Sequence, residues 1–446
     1  MLPRPALAVA SLVLVTAGAG TTTGAPAGAA TSTPTTASTT ATTTAVPGPA
    51  PSSTTSPTTT TSPASSPSET ATATAAPTAS PSPPSSPPGL PTRATLTVPE
   101  TVTLPGAKKN IPWPKRGRAR LEVAGIGTLG RSGKGSSAPI ASVTKVMTAY
   151  VILRNHPLAA GQNGPTIVVT RAEAASYARR KAAGESLVKI AAGERISQRQ
   201  ALQGLLIASG NNMADILARW DAGNIPTFVK DMNENAARLG LTATHYADTS
   251  GLNSRSRSSP TDLLKLAPLA MADPTFAKIV GQTSARIPLN KLKNTNKLLG
   301  RPGVIGIKTG STRAAGGCLL FAAERTVSGR VYTVYGALLG APGPKILTNA
   351  LAASDALIVA ARKTLHPATL IPAGRPIASL TGADGYPVTL ALASDLTVVG
   401  WAGLTYRLSL PAGRPGQAPT VLIVRTSAQT ITVPLVLAAG QHPLGR

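Results

Sequence analysis

Residues 21–92 constrain the fold most, because they contain almost nothing from which a core could be built. They are nearly all Thr, Ser, Pro, Ala and Gly, with one acid, Glu69, and no base. Such a segment cannot bury enough apolar surface to offset its ordering entropy, so residues 31–92 are expected to be a disordered linker. Residues 1–30 read as an export signal. Arg4 and the amino terminus supply positive charge, residues 6–15 an apolar run, and Ala25-Pro26-Ala27 or Ala27-Gly28-Ala29 a small-residue cleavage pattern. The apolar run is shorter than the roughly 20 residues a bilayer requires. Removal of the signal is therefore expected over its retention as an anchor.

Folding is left to residues 93–446, where the pattern is alternately strand-like and helical. Short strands are expected at 118–123 and 126–130, then a helix from near Ser142 whose Val143, Val146, Met147, Tyr150 and Val151 recur at helical spacing. Further helices fit 171–183, 197–208, 212–221, 227–239 and 261–271. Strands return at 304–307, 318–323 and 332–339, and a helix over 345–363 closes the unit. Strands at both ends of a helical middle predict an α+β domain over 93–365, an antiparallel sheet carrying a mainly helical insert. After His366, runs at 387–393, 396–399, 405–410, 420–424 and 430–437 predict a small all-β domain over 366–446.

Charge and cysteine narrow the function classes. The first 92 residues hold one base and one acid, so the net +26 falls wholly beyond them. That excess suits an anionic surface such as wall polymer or lipid head groups, or simply a solubilised exterior. Nucleic acid is a poor partner, since the bases are scattered and aromatic side chains for stacking are scarce. Cys318 is alone and lies in an apolar run, which fits a buried small side chain better than a nucleophile. The four histidines stand near no other ligand, so neither a metal nor a cofactor is expected.

Three short motifs carry the chemistry: Ser142-Val143-Thr144-Lys145, Ser209-Gly210-Asn211 and Lys308-Thr309-Gly310. A serine hydroxyl is a weak nucleophile until a base takes its proton. Lysine can do so only when neutral, which needs burial or a neighbouring cation, and Lys308 would be that cation. Three residues apart at a helix start, Ser142 and Lys145 share a face. Singly each motif has a plain reading: Ser209-Gly210-Asn211 as a helix cap, Lys308-Thr309-Gly310 as a strand end. The chain even contains a decoy, Ser186-Leu187-Val188-Lys189, without ordered partners. The ordered trio is what makes the plain readings fail together.

With these motifs and the stretches Asp248-Thr249-Ser250-Gly251-Leu252, Asn294-Thr295-Asn296 and Gly306–Thr312 around the last, the chain resembles the serine-type D-alanyl-D-alanine carboxypeptidases. These are the low-molecular-weight penicillin-binding proteins of peptidase family S11. The resemblance implies a β-lactamase/transpeptidase-like domain with a helical subdomain. It implies that Ser142 attacks the bond between the last two D-alanines of a peptidoglycan stem peptide while Lys145 takes its proton. Ser209 and Asn211 would relay that proton, Lys308, Thr309 and Gly310 would bind the substrate carboxylate end, and the N–H groups of Ser142 and Ser311 would hold the oxyanion. It also implies inhibition by β-lactams and work in cell-wall synthesis, remodelling and shape outside the cytoplasm, in the wall or at the outer face of the membrane. Lys345 is a candidate for a further carboxylate-binding cation. Residues 438–446 offer no amphipathic membrane helix.

The same residues admit three rivals. A serine β-lactamase would carry a glutamate between the second and third motifs, whereas residues 239–252 contain none. A D,D-endopeptidase would use the same acyl-enzyme on cross-links. A non-catalytic wall-binding protein would keep the fold without these polar groups.

Overall fold

In a computed structural model the described residues are 94–107, 110–159, 161–381, 385–412 and 418–438. The expected signal and linker lie outside them. By contacts the chain divides after Ser82, and every described residue belongs to the second part. Among the described residues no helix is long and apolar enough to cross a membrane.

The central element is a five-stranded antiparallel sheet. Its order is Val304–Thr312, Gly316–Val327, Arg330–Ala341, Arg118–Val123 and Gly127–Ser132. The strand Gly316–Val327 shows why its apolar run is continuous rather than alternating. Cys318, Leu320 and Ala322 enter one core cluster with the helical insert. Leu319, Phe321 and Ala323 enter another with the helix α8, Ile346–Thr364. A strand covered on both faces has no solvent side on which to place polar residues.

The insert contains α1 (Lys145–Asn155), α2 (Arg171–Ala182), α3 (Gln198–Leu206), α4 (Asn211–Ala222), α5 (Ile225–Arg238), α6 (Pro260–Met271) and α7 (Pro274–Val280). Its starts are locally encoded. Thr170 and Ser197 each accept a backbone N–H and receive Glu173 or Gln200 in return, two reciprocal capping boxes. α1 is apolar on nearly every side and is buried along most of its length, as the central helix of such an insert must be.

Several elements depart from expectation. Ser142 stands not on α1 but on a tight 3-10 turn, Ala141–Thr144, that leads into it. Lys308-Thr309-Gly310 lies inside a nine-residue strand rather than after a short one. The helix α7 and the hairpin Ser284–Ile287/Asn290–Lys293 were not foreseen.

Beyond α8 a seven-stranded sheet combines Pro376–Thr381, Pro387–Leu392, Thr405–Ser409, Val421–Arg425 and Thr430–Leu437 with two strands from before the central sheet, Thr95–Leu96 and Thr101–Thr103. Its interior is a third apolar cluster. A two-stranded ribbon, His366–Ile371 with Leu396–Gly400, lies next in sequence to α8.

Candidate active site

Ser142 and Lys145 meet because the tight turn ends where α1 begins. Lys145 Nζ lies 2.8 Å from Ser142 Oγ, and it is also 2.8 Å from Asn211 Oδ1 and 2.8 Å from the carbonyl oxygen of Ser250. The last two groups can only accept. Asn211 cannot turn its amide round, because Nδ2 donates to Glu185 Oε2 at 2.9 Å. A neutral amine has two hydrogens, and these two acceptors use both. The lone pair is then left facing the serine hydroxyl.

The electrostatics favour that neutral form. Burial, first, and the charge of Lys308, second, hold Lys145 well below the ordinary lysine range, against Asp248, Asp215 and Glu185, which pull it up. Lys308 is itself buried and is brought down to about 7 by desolvation. Its Nζ donates to the carbonyl of Thr309 at 3.1 Å.

Backbone geometry brings the third motif against the first. A Cβ on Gly310 would lie 2.8 Å from Ile140 O and 3.0 Å from Ser142 N, so only glycine lets this strand cross the nucleophile's turn. Gly251 is more tightly held still: at φ +80° its Cβ would fall 1.8 Å from the carbonyl oxygen of Ala141. Two of the four non-glycine residues with positive φ among the described residues lie in this cluster, Ala141 at 46° and Ser209 at 60°. Each such position costs on the order of 1–3 kcal/mol and persists only where its surroundings impose it.

The second and third motifs are joined through a residue the motifs omit. Thr295 N donates to Ile207 O at 3.2 Å, while Thr295 and Thr309 hydroxyls lie 2.6 Å apart. Ser209 is buried beside Gly210 and Asn211, and among the described residues no hydrogen bond joins its side chain to Ser142 or Lys145. Ser311 follows Gly310 on the strand with its side chain exposed. The strand is an edge of the sheet.

Lys345 is exposed at the start of α8, and among the described residues no hydrogen bond or ion pair ties it to the three motifs. The decoy Ser186–Lys189 lies on a loop with both end side chains exposed, though Ser186 O accepts from Asn211 N at 2.8 Å. Cys318 is buried, and burial pushes its thiol up to about 11. Sequence reading placed Asp248 in a family-like run but gave its carboxylate no role. It accepts from the N–H groups of Gly251, Leu252 and Asn253 and from the hydroxyls of Ser250 and Ser256, and so shapes the loop that presents Ser250 O. Its signal was the Asp-Thr-Ser-Gly-Leu run, where the aspartate precedes a glycine turn.

A buried lysine against a serine, on a helical insert facing an edge strand, defines the class of serine proteins that share the penicillin-binding fold. A solved structure of penicillin binding protein 5 from Haemophilus influenzae shares that fold with a TM-score of 0.54 at 22% identity, covering 75% of this chain and 98% of the other. Residues 129–338 match the family model for D-alanyl-D-alanine carboxypeptidase. The chain is 36% identical over 195 residues to D-alanyl-D-alanine carboxypeptidase DacB2 of Mycobacterium tuberculosis, covering 42% of this chain and 62% of that one. It is 34% identical over 211 residues to the D-alanyl-D-alanine carboxypeptidase of Streptomyces sp. strain K15, covering 43% of this chain and 70% of the other. The chain belongs to the D-alanyl-D-alanine carboxypeptidase family.

Proposed function

We propose that the chain is a serine hydrolase that removes the terminal D-alanine from peptidoglycan stem peptides through an acyl-enzyme on Ser142. The observation that carries this reading is the Lys145 amine, 2.8 Å from Ser142 Oγ and equally close to two acceptors, Asn211 Oδ1 and Ser250 O. In the first step Ser142 Oγ bonds to the penultimate D-alanine carbonyl carbon as its proton passes to Lys145 Nζ. The peptide C–N bond then breaks, and the proton reaches the departing D-alanine nitrogen through the Ser209 hydroxyl, while Asn211 Oδ1 holds the Lys145 amine in place. Lys308 and Thr309 hold the terminal carboxylate, with Gly310 keeping the strand close. The N–H groups of Ser142 and Ser311 receive the oxyanion. Water hydrolyses the ester.

β-Lactams present the same carboxylate and acyl carbon, so they acylate Ser142. Asp248, the one acid in residues 239–252, has its carboxylate occupied by its own loop. That leaves no free carboxylate in this stretch to activate a deacylating water and supports inhibition over β-lactam turnover. An enzyme of this kind acts on wall outside the cytoplasm, and the export signal read in residues 1–30 supports a secreted protein.

The test is incubation with a stem pentapeptide and with benzylpenicillin, followed by mass spectrometry. Release of D-alanine, a long-lived penicilloyl adduct, and loss of both in Ser142→Ala are expected. Rapid penicillin turnover would instead indicate a β-lactamase. Cleavage of cross-linked muropeptides without D-alanine release would indicate an endopeptidase, the activity named for a 36%-identical relative from Haemophilus influenzae.

A further inference from the structure

The two acceptors that take the Lys145 hydrogens come from different elements, Asn211 from the start of α4 and Ser250 from the loop that Asp248 shapes. Behind them lies a single guanidinium. Arg180, in the last turn of α2, donates through Nη2 to Glu185 Oε2 at 2.8 Å and through Nη1 to Asp215 Oδ2 at 2.8 Å. The same Glu185 oxygen accepts from Asn211 Nδ2 at 2.9 Å, which is what turns Asn211 Oδ1 toward the lysine. Asp215 Oδ1 accepts from Thr249 Oγ1 at 2.6 Å, and Thr249 immediately precedes Ser250. Asn211 and Asp215 are one turn apart on α4 and so share a face.

We propose that Glu185, Arg180 and Asp215 form a positioning device for the acylating lysine. One arm fixes Asn211 Oδ1, the other fixes Ser250 O, and together they aim the Lys145 lone pair at Ser142. The device rests on the reading of Lys145 as the base for Ser142. An isolated surface ion pair would stabilise little. This one has a different use, because the planar arginine fork can bind two carboxylates at fixed angles and a lysine ammonium cannot. Misplacing a proton-transfer group by about 1 Å costs on the order of 100-fold in rate.

The arrangement also has an electrostatic signature. The charged groups facing Lys145 are Lys308 on the edge strand, Asp248 on the loop, Asp215 on α4 and Glu185 on the segment after α2. The carboxylates oppose Lys308, so removing one lowers the amine's affinity for a proton. Neutralising Glu185 therefore slows acylation while moving its acid limb to lower pH. Loss of packing alone would not produce that combination.

The experiment labels Ser142 of the full chain with a small fluorophosphonate across pH, a serine reagent that needs no D-alanyl peptide. Wild type is labelled and Ser142→Ala is not. Glu185→Gln, nearly isosteric, is expected to be labelled about 10- to 100-fold more slowly with its acid limb at lower pH. Arg180→Lys is slowed likewise, and Arg180→Ala recovers with added guanidinium but not with the same concentration of sodium. Wild-type rate and pH profile in Glu185→Gln would overturn the proposal, as would an unlabelled wild type or slowing explained by a lower melting temperature with an unmoved pH profile. Normal labelling without D-alanine release would remove the proposed substrate and leave this inference standing.

Discussion

Acylation by Ser142 needs two lysines in opposite forms. Lys145 must be neutral to accept a proton, and Lys308 must be charged to hold a carboxylate. With Lys308 at about 7 in the free protein, kcat/KM for a D-alanyl peptide is expected to fall as pH rises through that value. Profiles for kcat should fall later, because a bound carboxylate restores the ammonium. A pH series from 5 to about 10 checks both limbs. Stability has a related dependence. The unfolded chain returns Lys308 to its ordinary 10.5, so between about 7 and 10.5 the unfolded state binds more protons. Stability gained from this group therefore rises with pH across that window and is lost as pH falls to about 7. Melting temperatures of wild type and Lys308→Met should diverge there. Glycines make the third case: Gly251→Ala drives a methyl into the Ala141 carbonyl and is expected to cost about 1–3 kcal/mol and most Ser142 labelling. Undiminished labelling in that variant would mean that the turn tolerates what its geometry forbids.

Element by element, legibility in the sequence followed the strength of the local signal. α2 was readable almost to the residue, because Thr170 and Glu173 close its first turn and basic residues fill its last. The strand Gly316–Val327 was readable as an apolar run, though only its two clusters explain why it does not alternate. The hairpin at 284–293 was not readable. Its large buried side chains are Ile287 and Leu292, set among exposed cations, and its turn uses Leu289 at φ 58° instead of glycine. Within the site, the three motifs were legible as an ordered set, and the residues that join them were not. Thr295 and Ser250 lie in family-like runs that give them no role, Glu185 lies in none, and all three acquire their roles only from what they touch. α3 offers a test at this scale. Ser197→Ala removes one side of its capping box and is expected to lower stability by about 1 kcal/mol in denaturant unfolding while leaving Ser142 labelling unchanged.

For the molecule as a whole, the sheet beyond α8 was legible as a set of strands but not in its membership. Residues 95–103 contain too few apolar positions to announce themselves, and they pair only because Pro376–Thr381 and Thr405–Ser409 offer them edges. Trp401, next to the ribbon strand Leu396–Gly400, is buried in the same apolar cluster as Leu121, Phe321 and α8. That side chain belongs to the core beside the central sheet and is not a member of the third cluster. Trp401→Ala is expected to cost about 3–5 kcal/mol in unfolding, with the labelling rate of surviving folded protein unchanged. A full loss of labelling in folded protein would mean that this contact shapes the catalytic cluster as well.

The most direct measurement is the protonation state of Lys145 Nζ itself, followed by NMR on protein labelled at lysine side chains and assigned by the signal missing from Lys145→Arg. A neutral amine at pH 7, sitting far below ordinary lysine, is the predicted result. An ammonium that persists to pH 9 would contradict the account, since Ser142 would then have no base at its side.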